Sequence, residues 1–332
     1  MEYVKLGTSD VEVTRITFGA WAIGGWMWGG ADRLEALTAI DAALDYGVTS
    51  IDTAPVYGFG RSEEIVGEAI KGKRDKVQIL TKYGMRWNTT KGQFAFDSKD
   101  NEGKDVRIYK YSAKNSVLKE CEASLKRLGT DYIDLYQIHW PDDTTPIDET
   151  MEAIEKLLKQ GKIRAAGVCN YDAGRLDKAR LSVHIVSNQV PYSMVQRDIE
   201  EELVPYCVNN NTSILAYSPL QRGLLTGKIT KDYQFNDGDN RPGSPYFQEK
   251  NLVKINAFLD KIKPIADGKN ASLAELAINW TLQQTGITVA LVGARNPKQV
   301  ESNVKALDFE ITADEMNAIN TELIFLNKEL NL

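Results

Sequence analysis

Eight short apolar bursts recur along this 332-residue chain, at 16–19, 48–52, 77–81, 132–139, 163–168, 185–189, 214–217 and 288–292. Runs of this length, rich in Ile, Val and Leu, suit strands buried on both faces. Between them lie stretches with apolar residues at helical spacing, at 33–46, 62–70, 112–128, 147–159, 200–209 and 297–307. Strand and helix alternating eight times predict an α/β chain closed into a (β/α)8 TIM barrel. The competing arrangement is an open doubly wound sheet. It is weaker because no Gly-x-Gly-x-x-Gly turn follows the first burst, and Gly24-Gly25 and Gly29-Gly30 lack that spacing. A prior of roughly 150 residues per domain would allow two domains. No Pro- or Ser-rich linker divides the chain, so residues 1–332 read as a single barrel domain.

Two strand-like pieces, 3–6 and 11–14, flank the turn-rich Gly7-Thr8-Ser9-Asp10, which predicts an N-terminal β-hairpin across the barrel's bottom. Two connections are long. Residues 85–111 read as polar and irregular, and residues 221–247 carry Gly223, Gly227, Pro242, Gly243 and Pro245. Both follow strands, so both are expected on the C-terminal face, where barrels build their sites.

Composition excludes several classes. The net charge of −6 argues against a nucleic-acid partner. Cys121, Cys169 and Cys207 form no CxxC pair, so a disulfide framework or zinc site is not expected and a reducing cytoplasm is. No apolar run reaches the roughly 18 residues that span a membrane, and the N-terminal residues lack a signal-peptide core.

Three distant stretches each end a strand on a proton-handling residue. They are Asp52 and Tyr57 in Ser50-Ile51-Asp52-Thr53-Ala54-Pro55-Val56-Tyr57-Gly58, Lys82 in Ile79-Leu80-Thr81-Lys82, and His139 in Leu135-Tyr136-Gln137-Ile138-His139-Trp140. Singly, each has a bland explanation: a turn cap, a core tyrosine, a snorkelling lysine, a buried imidazole. Parallel strands in one barrel bring all four ends into one bowl. Carbonyl reduction by a bound hydride donor needs this set: a phenol as acid, a cation to stabilise phenolate, a carboxylate to hold the cation, and an imidazole to orient the carbonyl.

Asp52-Thr53-Ala54-x-x-Tyr57-Gly58, Thr81-Lys82 and Asp134-Leu135-Tyr136-x-x-His139 resemble the motifs of the aldo-keto reductases. Phe18-Gly19-Ala20-Trp21, Gly58-x-Gly60-x-Ser62-Glu63, Ser124-Leu125-x-Arg127-Leu128, Gly161-Lys162-Ile163-Arg164, Gly223-Leu224-Leu225-x-Gly227 and Gly293-Ala294-Arg295 extend the likeness from about residue 16 to 303. It is closest to the bacterial stress-associated and inositol-operon type reductases. The resemblance implies Asp52, Tyr57, Lys82 and His139 as catalytic residues and NADP(H) as cofactor. Gly19, Ala20, Trp21 and Asp52 would border the cofactor. Asn170 and Gln189 would hold the nicotinamide carboxamide, and Tyr217 would stack on its ring. Ser218, Leu220, Arg222 and Gly223 would wrap the pyrophosphate. Gly293, Arg295, Gln299 and Asn303 would receive the adenosine 2′-phosphate end, which favours NADP over NAD. Cys169 stands where the family usually has serine, and a thiol is the poorer donor.

Trp21, Trp28, Trp87 and Trp140 sit in loops of the expected active face and, with Tyr57 and His139, predict an aromatic substrate pocket. The function expected is NADP-dependent interconversion of an aldehyde or ketone, sugar- or polyol-derived compounds included, and an alcohol. No metal is required. The alternatives are a regulatory NADP-binding barrel subunit and a Schiff-base lyase using Lys82. The expected partner is a small carbonyl or alcohol, with no nucleic acid and no membrane, in a monomer or homo-oligomer.

Overall fold

The computed structural model describes residues 1–330. Eight strands run parallel around a closed barrel: β1 (Ile16–Gly19), β2 (Ser50–Asp52), β3 (Gln78–Tyr83), β4 (Ile133–Ile138), β5 (Ile163–Cys169), β6 (Ile185–Pro191), β7 (Ser213–Tyr217) and β8 (Ile287–Gly293). Each pairs with its neighbours in sequence, and β8 closes on β1. The eight expected strands are therefore present, shifted by a few residues at their ends. The third shift matters: β3 continues through Lys82 to Tyr83, so Lys82 lies inside a strand.

A hairpin of Tyr3–Lys5 and Glu12–Thr14 covers the N-terminal end. Its Leu6, Val11 and Val13 pack with Leu80, Leu135, Ala165, Val186, Leu215 and Val289 inside the barrel. This apolar plug fills the lower interior, as the small radius of an eight-stranded barrel requires. The outer core lies between barrel and helices, with Ile51, Ile79, Ile133 and Ile185 facing Ile40, Val66, Val117 and Ile154.

The expectation for residues 85–111 is corrected. They form a three-stranded antiparallel sheet, with Asp105–Lys110 between Met85–Arg86 and Gln93–Lys99. Val106-Arg107-Ile108 alternates with the period of a half-buried strand, while a register shift between Phe94 and Phe96 leaves the first ring exposed and packs the second inward. Phe96, Val106 and Ile108 pack with Val56, Met85 and Trp26. Residues 221–247 contain three short 3-10 turns, Gln221–Thr226, Arg241–Gly243 and Pro245–Phe247. Four helices escaped the periodicity: Ala173–Arg180, Glu249–Gly268, Leu273–Gln283 and Ala313–Glu329. Two begin with capping boxes, Ser272 with Glu275 and Thr312 with Glu315, a signal readable in sequence.

Candidate active site

Asp52 is the last residue of β2. The chain then turns sharply through Tyr57-Gly58 into the helix Arg61–Ala69. Gly58 has φ of 67°, and a Cβ there would meet the Gly24 carbonyl oxygen at 2.3 Å. Glycine is required because the turn carrying Tyr57 is pressed against the first loop. Ser62 Oγ donates to the Ala20 carbonyl at 2.8 Å. Glu63, fully buried, accepts from Thr81 Oγ1 at 2.7 Å and from Arg127 Nε at 2.6 Å. These bonds tie the segment after Tyr57 to the strand position before Lys82.

The four expected catalytic side chains meet at the mouth of the barrel. Lys82 Nζ donates to Asp52 Oδ1 at 2.6 Å and to the Thr53 carbonyl at 2.9 Å. It stands 5.0 Å from the centroid of the Tyr57 ring. The Tyr57 and His139 rings meet edge to face with centroids 5.6 Å apart. The His139 backbone N–H donates to the Tyr83 carbonyl, which anchors its position at the end of β4.

Burial dominates the proton affinities. Desolvation pushes the Tyr57 phenol up to about 12, although Lys82 pulls it down. The lowering expected from the cation is therefore present but outweighed. Burial alone would lower Lys82, yet Asp52, with Tyr57 and Cys169, outweighs it and holds the ammonium above its ordinary value. Burial, reinforced by Lys82, keeps His139 well below the usual histidine range, so its imidazole is neutral. Burial likewise raises the Cys169 thiol, which stays protonated. A lysine held charged is a poor nucleophile, which counts against the Schiff-base alternative.

A cavity of about 730 Å³ opens over this group. Its near end is aromatic, with Trp21, Trp26, Trp28, Phe96 and Trp140 around Tyr57 and His139. Trp21 stacks on Tyr57 with centroids 6.0 Å apart, and Trp28 meets Trp21 edge to face. Its far end is cationic, bordered by Arg222, Lys228, Arg295 and Lys298. Of the expected cofactor residues, Gly19, Trp21, Asp52, Asn170, Gln189, Tyr217, Ser218, Leu220, Arg222, Gly223, Gly293, Arg295, Gln299 and Asn303 all line it. Ala20 does not. It is enclosed, and its backbone N–H donates to the Asp52 carbonyl at 2.8 Å. Trp87 does not line it either. It packs edge to face on Phe59, and Met85 and Phe96 are among the lining residues.

The amide side chains are already engaged. Asn170 donates from Nδ2 to the His139 carbonyl at 3.0 Å and accepts at Oδ1 from the Tyr217 hydroxyl at 3.0 Å. Gln189 Nε2 donates to Asp52 Oδ2 at 2.8 Å. Gln221, Arg222 and Gly223 all have positive φ, bending the chain sharply at the cavity. The helix Pro297–Lys305 starts beside Arg295, capped by Asn296 Oδ1 on the Gln299 N–H at 3.0 Å. The long loop 221–247 reaches across to the first loop. Asn240 N–H donates to the Met27 carbonyl, and Arg241, paired with Asp239 at 2.6 Å, lies over the Trp28 ring. Arg241 and Lys298 were missed from sequence, because nothing local distinguishes them from surface charge.

The residues fit a nicotinamide dinucleotide. The cleft is elongated, apolar beside the proton-handling group and cationic where phosphates would lie, with carboxamide-matching side chains between. Such a barrel and cleft suit a carbonyl oxidoreductase, and residues 15–323 match the Aldo/keto reductase family. The chain belongs to that family and is an oxidoreductase acting on carbonyl compounds. It is 42% identical to Aldo-keto reductase YhdN of Bacillus subtilis over 97% of this chain and 94% of that protein. It is 38% identical to the NADH-specific methylglyoxal reductase of Escherichia coli, over 94% of this chain and 95% of that protein. The solved glycerol dehydrogenase AKR11B4 from Gluconobacter oxydans superposes with a TM-score of 0.86 at 39% identity, covering 97% of this chain and 95% of that one.

Proposed function

We propose that this protein is an NADP-dependent aldo-keto reductase that interconverts a small aldehyde or ketone and its alcohol, with Tyr57 as general acid and base. One arrangement carries the reading: the Lys82 ammonium sits between Asp52 at 2.6 Å and the Tyr57 ring at 5.0 Å, below a cleft apolar at one end and cationic at the other. Asn170 and Gln189 would hold the carboxamide and Tyr217 the ring face. Ser218, Leu220, Arg222 and Gly223 would take the pyrophosphate, and Arg295, Gln299 and Asn303 the adenosine end. When bound, the reduced nicotinamide supplies the hydride.

The chain's own residues do the rest. Tyr57, protonated at neutral pH, donates its proton to the carbonyl oxygen. Lys82 stabilises the phenolate left behind, and Asp52 keeps the ammonium charged and in place. Neutral His139 donates a ring N–H to the same oxygen and orients it. In oxidation the phenolate takes the proton back. The aromatic walls exclude water and accept the apolar face of an aldehyde or a sugar- or polyol-derived substrate.

The preference for NADP rests on Arg295, which makes no ion pair among the described residues and lines the cleft beside a helix N-terminus. The Escherichia coli relative is named for NADH, so similarity does not transfer the choice. A cytoplasmic monomer or homo-oligomer acting on small molecules, without nucleic-acid or membrane partners, completes the reading. The net charge of −6 supports the lack of a nucleic-acid partner, and no helix among the described residues is long and apolar enough to cross a membrane.

The test is steady-state turnover with NADPH and with NADH across simple aldehydes, methylglyoxal, aldoses and an inosose. The Tyr57→Phe variant should lose reduction by about 10²–10⁴-fold while still binding NADPH. Full turnover by that variant would remove the proposed acid.

A further inference from the structure

The interior of a closed barrel is usually filled by branched apolar side chains. Here one level is polar, and it contains a residue the proposed chemistry has not used. Gln137 is fully buried on β4, in register beside Lys82 on β3 and Gly167 on β5. A Cβ at Gly167 would stand 3.0 Å from Gln137 Cγ, so the glycine leaves the room that Gln137 occupies.

The hydrogen bonds around Asp52 divide by oxygen. Oδ1 takes the Lys82 ammonium at 2.6 Å. Oδ2 takes Gln189 Nε2 at 2.8 Å and Gln137 Nε2 at 3.5 Å. Gln189 Nε2 also approaches Gln137 Oε1 at 3.4 Å. Each amide therefore has its orientation set by its neighbours. Gln189 must turn nitrogen toward Asp52 and Gln137, which leaves its Oε1, unbonded among the described residues, as the acceptor of a side chain that lines the cavity.

We propose that Gln137 is a positioning residue: it holds Asp52 turned with Oδ1 on Lys82 and fixes the Gln189 amide in the sense that offers Oε1 to a carboxamide. The inference rests on the reading of this site as a carbonyl reductase. It links two functions that the residues would otherwise perform separately. The amide that meets the cofactor and the ammonium that serves Tyr57 hang on one carboxylate, and Gln137 braces both. A leucine at 137 would remove one donor from Oδ2 and one acceptor from Gln189 while leaving the barrel closed.

The experiment compares wild type with Gln137→Leu and the closer-volume Gln137→Met. It measures KM for NADPH and NADH, kcat against pH, and thermal stability. Loss of the amide–amide contact that orients Gln189 predicts a rise in cofactor KM of about three- to tenfold, the range of a neutral hydrogen bond. The alkaline limb of reductive kcat should move to higher pH, because Asp52 keeps more of its charge toward Tyr57. A lowered melting temperature with cofactor KM and pH limb unmoved would overturn the proposal, since a purely structural glutamine behaves that way. So would wild-type values throughout. If Gln137→Leu does not fold, Gln137→Met decides by the same readouts. No turnover by wild type on any carbonyl would defeat the underlying reading instead, and the two failures are therefore separable.

Discussion

Asp52 Oδ1 and Lys82 Nζ lie 2.6 Å apart on adjacent barrel strands, with the lysine side chain fully enclosed and the carboxylate 5% exposed. Such a pair is weak evidence for stability, because desolvating both charges offsets most of their attraction. Breaking it is another matter. Lys82→Met leaves Asp52 buried without its counter-ion and should cost about 3–5 kcal/mol of folding free energy. Denaturant unfolding of wild type and variant measures this. Asp52→Asn combined with Lys82→Met should recover part of the loss, since the uncompensated charge is then gone. No recovery in the double variant would mean that the charge was not the cause.

Tyr57 should remain a neutral phenol in the unliganded protein well beyond the ordinary tyrosine range, with half-ionisation near pH 12. The difference between the ultraviolet titrations of wild type and Tyr57→Phe isolates its signal. Lys82→Met removes the one strong downward pull and should move the transition higher. A Tyr57 transition at or below pH 10 in the free protein would show that the cation, not burial, controls the phenol.

His139 predicts an acid-side instability. Its folded proton affinity is depressed, first by burial and then by Lys82. A depressed group contributes stability that is present above its unfolded pKa, about 6.5 for histidine, and is lost as pH falls toward the folded value. Below pH 6.5 the unfolded chain binds a proton that the folded chain refuses. Stability should then fall by up to about 1.4 kcal/mol per pH unit from this residue. His139→Asn removes the effect, so the stability curves of wild type and variant should converge toward acid. Parallel curves from pH 7.5 to 5 would contradict a buried neutral imidazole.

Arg295→Ala should weaken NADPH by about tenfold or more, as loss of a charge-assisted bond implies, and NADH little. Asp32 and Glu35 line a neighbouring recess of about 460 Å³ together with Arg295 and Gln299. Both carboxylates are exposed and screened by water, yet they oppose a phosphate there. Glu35→Gln should therefore shift the NADPH to NADH preference modestly toward NADPH. Equal losses for both cofactors in Arg295→Ala would place the phosphate elsewhere.

Much of the candidate site was legible in the sequence. Asp52, Tyr57, Lys82 and His139 were recognisable because each follows or closes an apolar burst, and parallel strands in one barrel share a single functional end. The strands themselves were readable because a strand buried on both faces leaves a continuous apolar run. The sheet of residues 85–110 was not, because its segments are short and rich in charge, and its apolar side is hidden by contact with Trp26, Ala54 and Val56 from other parts of the chain. The helix Ala173–Arg180 buries only Leu176 and Ala179, too thin a stripe to mark it.

What local order along the chain determined is the alternation of strand and helix, and hence which residues end up at the mouth of the barrel. Those depend on backbone propensity and the period of apolar side chains. Only the tertiary structure decided proton affinity and partnership. It set Tyr57 pushed up rather than down, Lys82 sealed in a strand instead of snorkelling, Trp87 behind Phe59, and Gln137 turned onto Asp52. Desolvation and hydrogen-bond geometry depend on what surrounds a group in space, and residues far apart in the chain, up to 137 positions, supply those surroundings here.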